Sequence, residues 1–201
     1  MALQFVDPEQ FILDYSKSRY RGIETNDCVV KALAILFGIS YDEAHGFTRG
    51  FFIREERYGT RGFSAGIKMM MKQPAVRFNG RVESLRVYSF DTAYTVQKRF
   101  SKGIYLIDSF NHVSVLCDGV WIDYEGLVTP STRVNAVYRF SGFSHYSEVR
   151  DKVKEQTKKG IDLLSLILLG LIAFALIFKG DEVKEDLQSL VAWLSNFFGI
   201  N

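Results

Sequence analysis

Apolar residues at helical spacing occupy the first half of the chain. Residues 25–27, TND, are good helix caps, and the apolar run CVVKALAILF that follows them ends before Gly38, a common helix stop. Ser40 opens a capping box for a second helix over about 41–49. FSAGIKMMMK and a stretch near 91–102 have similar spacing. The pattern therefore predicts four helices.

The pattern then changes to the alternation that is typical of strands. IYLID, HVSVLC, VWIDY and NAVYRF have strand composition, and residues 118–119, DG, form a two-residue hairpin turn between the second and the third. Helices followed by an antiparallel meander predict an α+β fold, with the N-terminal helices packed on an antiparallel sheet. We assign this domain to residues 1–147.

The composition changes sharply near residue 148. We interpret residues 148–160 as a charged linker, 161–179 as a hydrophobic transmembrane helix and 180–201 as an amphipathic C-terminal helix. The uncharged run 163–178 has 16 residues, whereas a spanning helix usually needs about 20. A helix buried in a protein assembly is the alternative.

Basic residues are more frequent before this apolar run than after it. Those before it are Arg150, Lys152, Lys154, Lys158 and Lys159, and those after it are Lys179 and Lys184. The positive-inside rule then predicts a membrane protein whose globular domain faces the cytoplasm. The apolar stripe within residues 183–198 suits the membrane interface, a partner helix or an oligomer.

The overall composition argues against several classes of function. A net charge of +2 gives no general electrostatic case for nucleic acid, so we expect no nucleic-acid partner. Two cysteines far apart in sequence make neither a disulfide framework nor a four-ligand zinc site. Three scattered histidines lack metal-ligand spacing. We therefore expect neither a metal nor a cofactor.

Cys28 stands at the start of the first predicted helix. A thiol attacks only as the thiolate, and the free N–H groups and the dipole of a helix N-terminus favour that charged form. A nucleophile is one interpretation, and a small buried residue that begins a core helix is the other. Cys117 is interpreted as a structural residue.

His112 begins the strand HVSVLC, and the two-residue turn sets its register against VWIDY. Asp123 then becomes a diagonal neighbour of His112, within reach of the ring, while Glu125 lies directly opposite as the alternative acid. Either carboxylate would hold the imidazole tautomer and stabilise the imidazolium. His45, which we place at the surface or partly buried, and His145 lack an acid at comparable geometry. Alternation puts one set of residues on the core face: Val113, Val115, Cys117, Val120 and Ile122.

This chain order, with a cysteine opening an early helix, a histidine starting a strand and an acid on the next strand, resembles the papain-like cysteine peptidase superfamily. The blocks NDCVVKALAILFGISYDEAH and HVSVLCDGVWIDYEG are similar to small peptidase-like proteins of phages and other viruses, over roughly residues 25–125. The resemblance implies a papain-like fold and a protein or peptide substrate. It also implies that Cys28 is the nucleophile, His112 the general base and Asp123 the orienting acid.

One position departs from the superfamily. Papain-like enzymes usually place a glutamine about six residues before the cysteine as an oxyanion-hole donor, and Gly22 stands there instead. The Asn26 side chain, with the Cys28 backbone N–H, is the substitute that we predict; Asn26 as the helix N-cap is the alternative.

These observations predict a membrane-anchored thiol hydrolase that cleaves peptide or isopeptide bonds. One alternative is a catalytically silent domain that acts as a membrane-associated or virion component. Another is a cell-wall peptidase of the NlpC/P60-like group, against which the predicted cytoplasmic orientation argues. Transglutaminases share the triad, but nothing in the sequence selects an amine acceptor.

Overall fold

The computed structural model describes residues 3–55, 58–72 and 80–179. The chain divides into two compact units, Met1–Lys154 and Glu155–Asn201. The helices are α1 (Cys28–Phe37), α2 (Tyr41–Phe52), α3 (Phe63–Lys72), α4 (Ala93–Arg99) and α5 (Tyr146–Lys179), with 3₁₀ turns at Pro8–Phe11 and Tyr15–Lys17. The strands are β1 (Phe5–Val6), β2 (Arg54–Glu55), β3 (Gly59–Thr60), β4 (Arg81–Leu85), β5 (Ile104–Ser109), β6 (His112–Cys117), β7 (Val120–Ile122) and β8 (Val134–Ser141).

Six of these strands form one sheet in the order β1-β7-β6-β5-β8-β4. The β1–β7 pair is parallel and the other pairs of this sheet are antiparallel. Strands β2 and β3 form a separate antiparallel pair. The predicted α+β class, with helices and a mostly antiparallel sheet, is confirmed.

Helix α1 is the central helix of the first unit. Its sequence after Cys28 is apolar except for Lys31, and eight of its ten residues are buried because the helix is enclosed by the sheet and α2. Gly38 ends it in the left-handed conformation, at φ 63°, where a residue without Cβ is favoured. Ser40 caps α2 by accepting a hydrogen bond from the Glu43 N–H, as the capping box predicts. The end of α1 and the start of α2 are therefore well defined.

The predicted hairpin register is confirmed: Cys117 pairs with Val120 and Leu116 with Trp121. The residues predicted on the core face do pack in the cluster that contains α1. The opposite face is a second core, however, because Leu116 and Trp121 are fully buried there with Ala93 and Val96 of α4. Both faces of the sheet are therefore covered, where the alternation indicated only one.

The region beyond residue 147 differs from the prediction. Residues 148–160, predicted as a linker, lie within α5, and the break between the compact units falls after Lys154. Residues 148–154 are helical and belong to the first unit because Val149 and Val153 are apolar at helical spacing and are buried in its core.

The predicted transmembrane helix over residues 161–179 is wrong. Within the part of the chain that the structure describes, no helix has both the length and the apolar character needed to cross a membrane. The uncharged run has 16 residues and would extend only about 24 Å, against a hydrocarbon core of about 30 Å. The predictions of membrane anchoring and of a cytoplasmic orientation both depend on this segment, and without a spanning helix they have no support. The predicted amphipathic helix over 180–201 lies outside the described residues.

Candidate active site

Cys28 is the first residue of α1, and its thiol is free and partly exposed. Asn26 has φ 55°, a left-handed conformation that asparagine tolerates, and this turn directs the chain into the helix. Asp27 is the N-cap residue, which removes the alternative of Asn26 as the cap. The Asp27 carboxylate makes no cap hydrogen bond. It accepts one from the Tyr41 hydroxyl at 2.6 Å instead, and its side chain is therefore directed away from the first N–H groups of the helix.

His112 and Asp123 are joined by a hydrogen bond of 2.6 Å between Nε2 and Oδ2. The other oxygen of the carboxylate, Oδ1, accepts from the Tyr124 backbone N–H at 2.8 Å, and Asp123 is only 5% exposed. Its own backbone N–H donates to the Val6 carbonyl, 3.1 Å away, where β1 extends the sheet. Glu125 is exposed to solvent. Asp123 is therefore the acid that holds the imidazole, as the diagonal geometry predicts.

The thiol and the imidazole meet in the folded chain. The side chains of Cys28 and His112 are hydrogen-bonded, although 84 positions separate them in sequence. Nε2 is occupied by Asp123, so Nδ1 is the ring nitrogen left for the sulfur. Helix α1 and strand β6 pack directly on each other, which fixes the two residues relative to each other.

His112 is strongly basic in this setting. Burial lowers the pKa of His112, but the hydrogen bond of the ring to the Asp123 carboxylate, and then its hydrogen bond with Cys28, outweigh burial and raise the pKa from 6.5 to about 10. The ring is therefore an imidazolium at neutral pH, hydrogen-bonded to a carboxylate on one side and to the thiol on the other. A cation beside a thiol favours its reactive thiolate form.

Cys28, His112 and Asp123 line a cleft of about 920 Å³. Its walls come from the start of α1, the β2–β3 hairpin, the turn between β5 and β6, and the segment after β7. Tyr58, Phe110 and Leu127 line it and are 75%, 80% and 54% exposed. Asp108 and Asn135 also line it. Sequence reasoning missed these five residues, because they lie at turns and strand ends that have no distinctive pattern.

A buried ion-pair network holds the turn that precedes Cys28. The Glu24 carboxylate pairs with His45 Nε2 at 2.9 Å and with Arg54 Nη2 at 2.7 Å. The Arg54 guanidinium also donates to the backbone carbonyls of Thr25 and Asn26, at 3.4 and 3.1 Å. Arg54 therefore hydrogen-bonds to three successive residues, Glu24, Thr25 and Asn26, immediately before the N-cap.

The predictions for the other two histidines are wrong. His45 is completely buried, rather than at the surface or partly buried, and is paired with Glu24 and stacked on the Tyr20 ring at 3.8 Å between centroids. His145 pairs with Glu148 at 2.8 Å, one helical turn further on. Each has an acid partner that the sequence pattern did not indicate, but neither lines the cleft.

Cys117 is buried, whereas Cys28 is partly exposed. Cys117 lies completely buried in the core that contains α1. Burial, with a smaller contribution from Asp118, raises the pKa of Cys117 to about 12. The described residues contain no group of three or more histidine, cysteine or acidic side chains placed to hold a metal ion.

The chain has no match among protein-family models, curated proteins or solved structures. Its function is therefore inferred from the geometry of this site.

Proposed function

We propose that this chain is a papain-like thiol hydrolase that cleaves peptide or isopeptide bonds, with Cys28, His112 and Asp123 as its triad. The observation that carries the proposal is the placement of His112. Its ring is hydrogen-bonded both to a thiol at a helix N-terminus and to a buried carboxylate, inside a cleft. A nucleophile, its base and the group that orients the base need this arrangement.

The reaction begins with attack by the Cys28 thiolate on the carbonyl carbon of the scissile bond. A C–S bond forms, and the carbonyl electrons move to the oxygen. Loss of the thiolate charge removes one cause of the high basicity of His112, so the imidazolium can give its proton to the leaving nitrogen as the C–N bond breaks. A thioester on Cys28 remains.

Water completes the cycle. His112, now neutral, takes a proton from a water molecule that attacks the thioester carbonyl, and the C–S bond breaks to release the acid and restore the thiolate. Asp123 keeps the imidazole in one orientation throughout, because its two oxygens are fixed by His112 and by the Tyr124 N–H.

The charge on the tetrahedral oxygen requires hydrogen-bond donors. The Cys28 backbone N–H, at the first position of α1, and the Asn26 side chain, which lines the same cleft, are the donors that we propose. The Asp27 carboxylate does not compete for the helix N–H groups, because it accepts from Tyr41. Arg54 would keep the Asn26 backbone in place through its carbonyl.

A cleavage assay with the full chain tests the proposal. The protein is incubated with a proteome-derived peptide library, with ε-linked isopeptides and with muropeptides, and mass spectrometry identifies new termini. We expect cleavage of one of the first two by the wild type and none by Cys28→Ala. Cys117→Ala, the matched control, should remain active. Cleavage by Cys28→Ala would exclude the assigned nucleophile, and cleavage of muropeptides alone would favour the cell-wall alternative.

A catalytically silent domain is the second candidate. Gly22 stands where papain-like enzymes usually carry the glutamine of the oxyanion hole, so this donor is missing. A wild type that is alkylated rapidly at Cys28 but cleaves none of the three substrate classes would support this candidate over the hydrolase.

A further inference from the structure

Asp108 is an acidic residue of the cleft that the proposed triad does not use. It lies near the end of β5, opposite Val113 of β6 and Ala136 of β8. The next residue, Ser109, pairs directly with His112. Asp108 therefore stands one residue away from the partner of the proposed general base, and it lines the same cleft as Cys28.

The acids that line the cleft differ in how their charges are balanced. Asp27 pairs with Lys31 at 3.4 Å and accepts from Tyr41, and Asp123 pairs with His112. Asp108 has a hydrogen bond with the Asn135 side chain, but no ion pair with any residue that the structure describes. Asp108 is thus the cleft acid without a cation within the described part of the protein.

This position is unfavourable for an ionised carboxylate. Asp108 is only partly exposed, and burial raises its pKa to about 6, although the hydrogen bond with Asn135 lowers it. A half-buried carboxylate without a counter-charge destabilises a folded protein. A cation that enters the cleft would supply the missing charge, so the site favours a positively charged ligand.

We propose that Asp108 determines the specificity of the cleft and selects peptides that carry a lysine or arginine side chain next to the scissile bond. The proposal rests on the proposed function, because the position of the bond follows from Cys28. An ammonium or guanidinium group would replace solvent around the carboxylate and form a charge-assisted hydrogen bond. Peptides without the cation would leave Asp108 unpaired beneath the bound peptide, which costs affinity.

Two assays test this proposal separately from catalysis. In the first, fluorescein-labelled peptides that contain arginine or its neutral isostere citrulline, and lysine or norleucine, are titrated into the non-hydrolysing variant Cys28→Ala. In the second, coumarin peptides with the same residues are cleaved by the full wild-type chain. We expect a preference of roughly 30-fold or more for the cationic member of each pair.

Variants at Asp108 then assign the preference to this residue. Asp108→Asn should reduce the cationic preference to near unity, and Asp108→Lys should favour glutamate over glutamine. Glu125→Gln removes an exposed acid of the same region and should leave the preference intact. Circular dichroism and the unfolding midpoint show that each variant is folded.

The outcomes distinguish the two proposals. Cationic preference in binding that depends on Asp108, with no cleavage of any peptide, would support Asp108 as the cation-binding residue of the cleft and overturn the hydrolase. Cleavage without cationic preference, or a preference that survives Asp108→Asn, would overturn the specificity site alone. Neither binding nor cleavage of any of these peptides would overturn both.

Discussion

Replacement of Asp123 by asparagine should sharply lower the pKa of His112. The asparagine side chain has nearly the same shape, and its oxygen can still accept from the Tyr124 N–H that now lies 2.8 Å from Oδ1. What changes is the group at 2.6 Å from His112 Nε2, which becomes a neutral amide. The variant therefore removes a negative charge from a site that is 5% exposed and leaves the packing nearly unchanged.

The size of the effect follows from the balance of causes at His112. Burial lowers the pKa, and the Asp123 carboxylate is the first of the groups that raise it to about 10. With that group neutral, burial should bring the pKa to roughly 7 or below, with Cys28 as the remaining opposing group. Such a fall corresponds to about 4 kcal/mol of lost stabilisation of the imidazolium, at about 1.4 kcal/mol per pKa unit.

An NMR titration of the histidine ring protons measures this change directly. The chain has three histidines, and His45 and His145, which are paired with other acids, serve as internal controls. We expect one resonance to titrate near pH 10 in the wild type and near neutrality or below in Asp123→Asn. If this resonance titrates near 6.5 in the wild type, or stays near 10 in the variant, the proposed coupling of His112 and Asp123 is refuted.

Three further predictions concern reactivity and stability. Iodoacetamide at pH 7 should alkylate Cys28 in the native protein and spare Cys117, whose thiol is buried with a pKa of about 12. Equal alkylation rates of the two cysteines, measured by mass spectrometry, would exclude activation of the Cys28 thiol. Glu24→Gln should lower the free energy of unfolding by about 3–5 kcal/mol in urea denaturation, because it leaves the buried Arg54 charge unpaired. A loss below about 1 kcal/mol would show that the Glu24–Arg54 ion pair does not stabilise the fold. Asp108→Asn should stabilise the protein by about 1–3 kcal/mol at pH 7 but not at pH 4. Because the pKa of Asp108 is raised, the folded protein holds the carboxyl proton more tightly than the unfolded chain does, and the stability of the wild type falls as the pH rises from about 4 to about 6. Equal denaturation midpoints of the wild type and Asp108→Asn at pH 7 would exclude the effect.

The parts of the site that depend on local signals could be predicted from the sequence. Cap residues before an apolar run place Cys28 at a helix start, and a two-residue turn sets the register that brings Asp123 towards His112. The register alone leaves both Asp123 and Glu125 within reach of His112. The choice between them follows from where β7 ends, at Ile122, after which Glu125 lies in solvent.

Other parts depend on contacts between distant residues that no local pattern encodes. Glu24 lies 21 positions from His45 and 30 from Arg54, and none of the three belongs to a recognisable motif. The second core has a weak signal in Leu116 and Trp121, which are large apolar residues on the face opposite the predicted core face. The apolar run near the C-terminus indicated a membrane by composition, whereas its length falls short of a span.

The parallel pairing of β1 with β7 joins two segments that are synthesised at very different times. Phe5 and Val6 can pair only after Trp121 and Ile122 have been synthesised, 116 positions later. The Val6 carbonyl then accepts a hydrogen bond from the Asp123 backbone N–H. Loop closure over such a distance is slow compared with helix formation. A growing polypeptide would thus carry Cys28 on a formed helix well before the acid is anchored. In the proposed mechanism, His112 would therefore gain its orienting acid only after residue 123 has been synthesised and β1 has paired with β7.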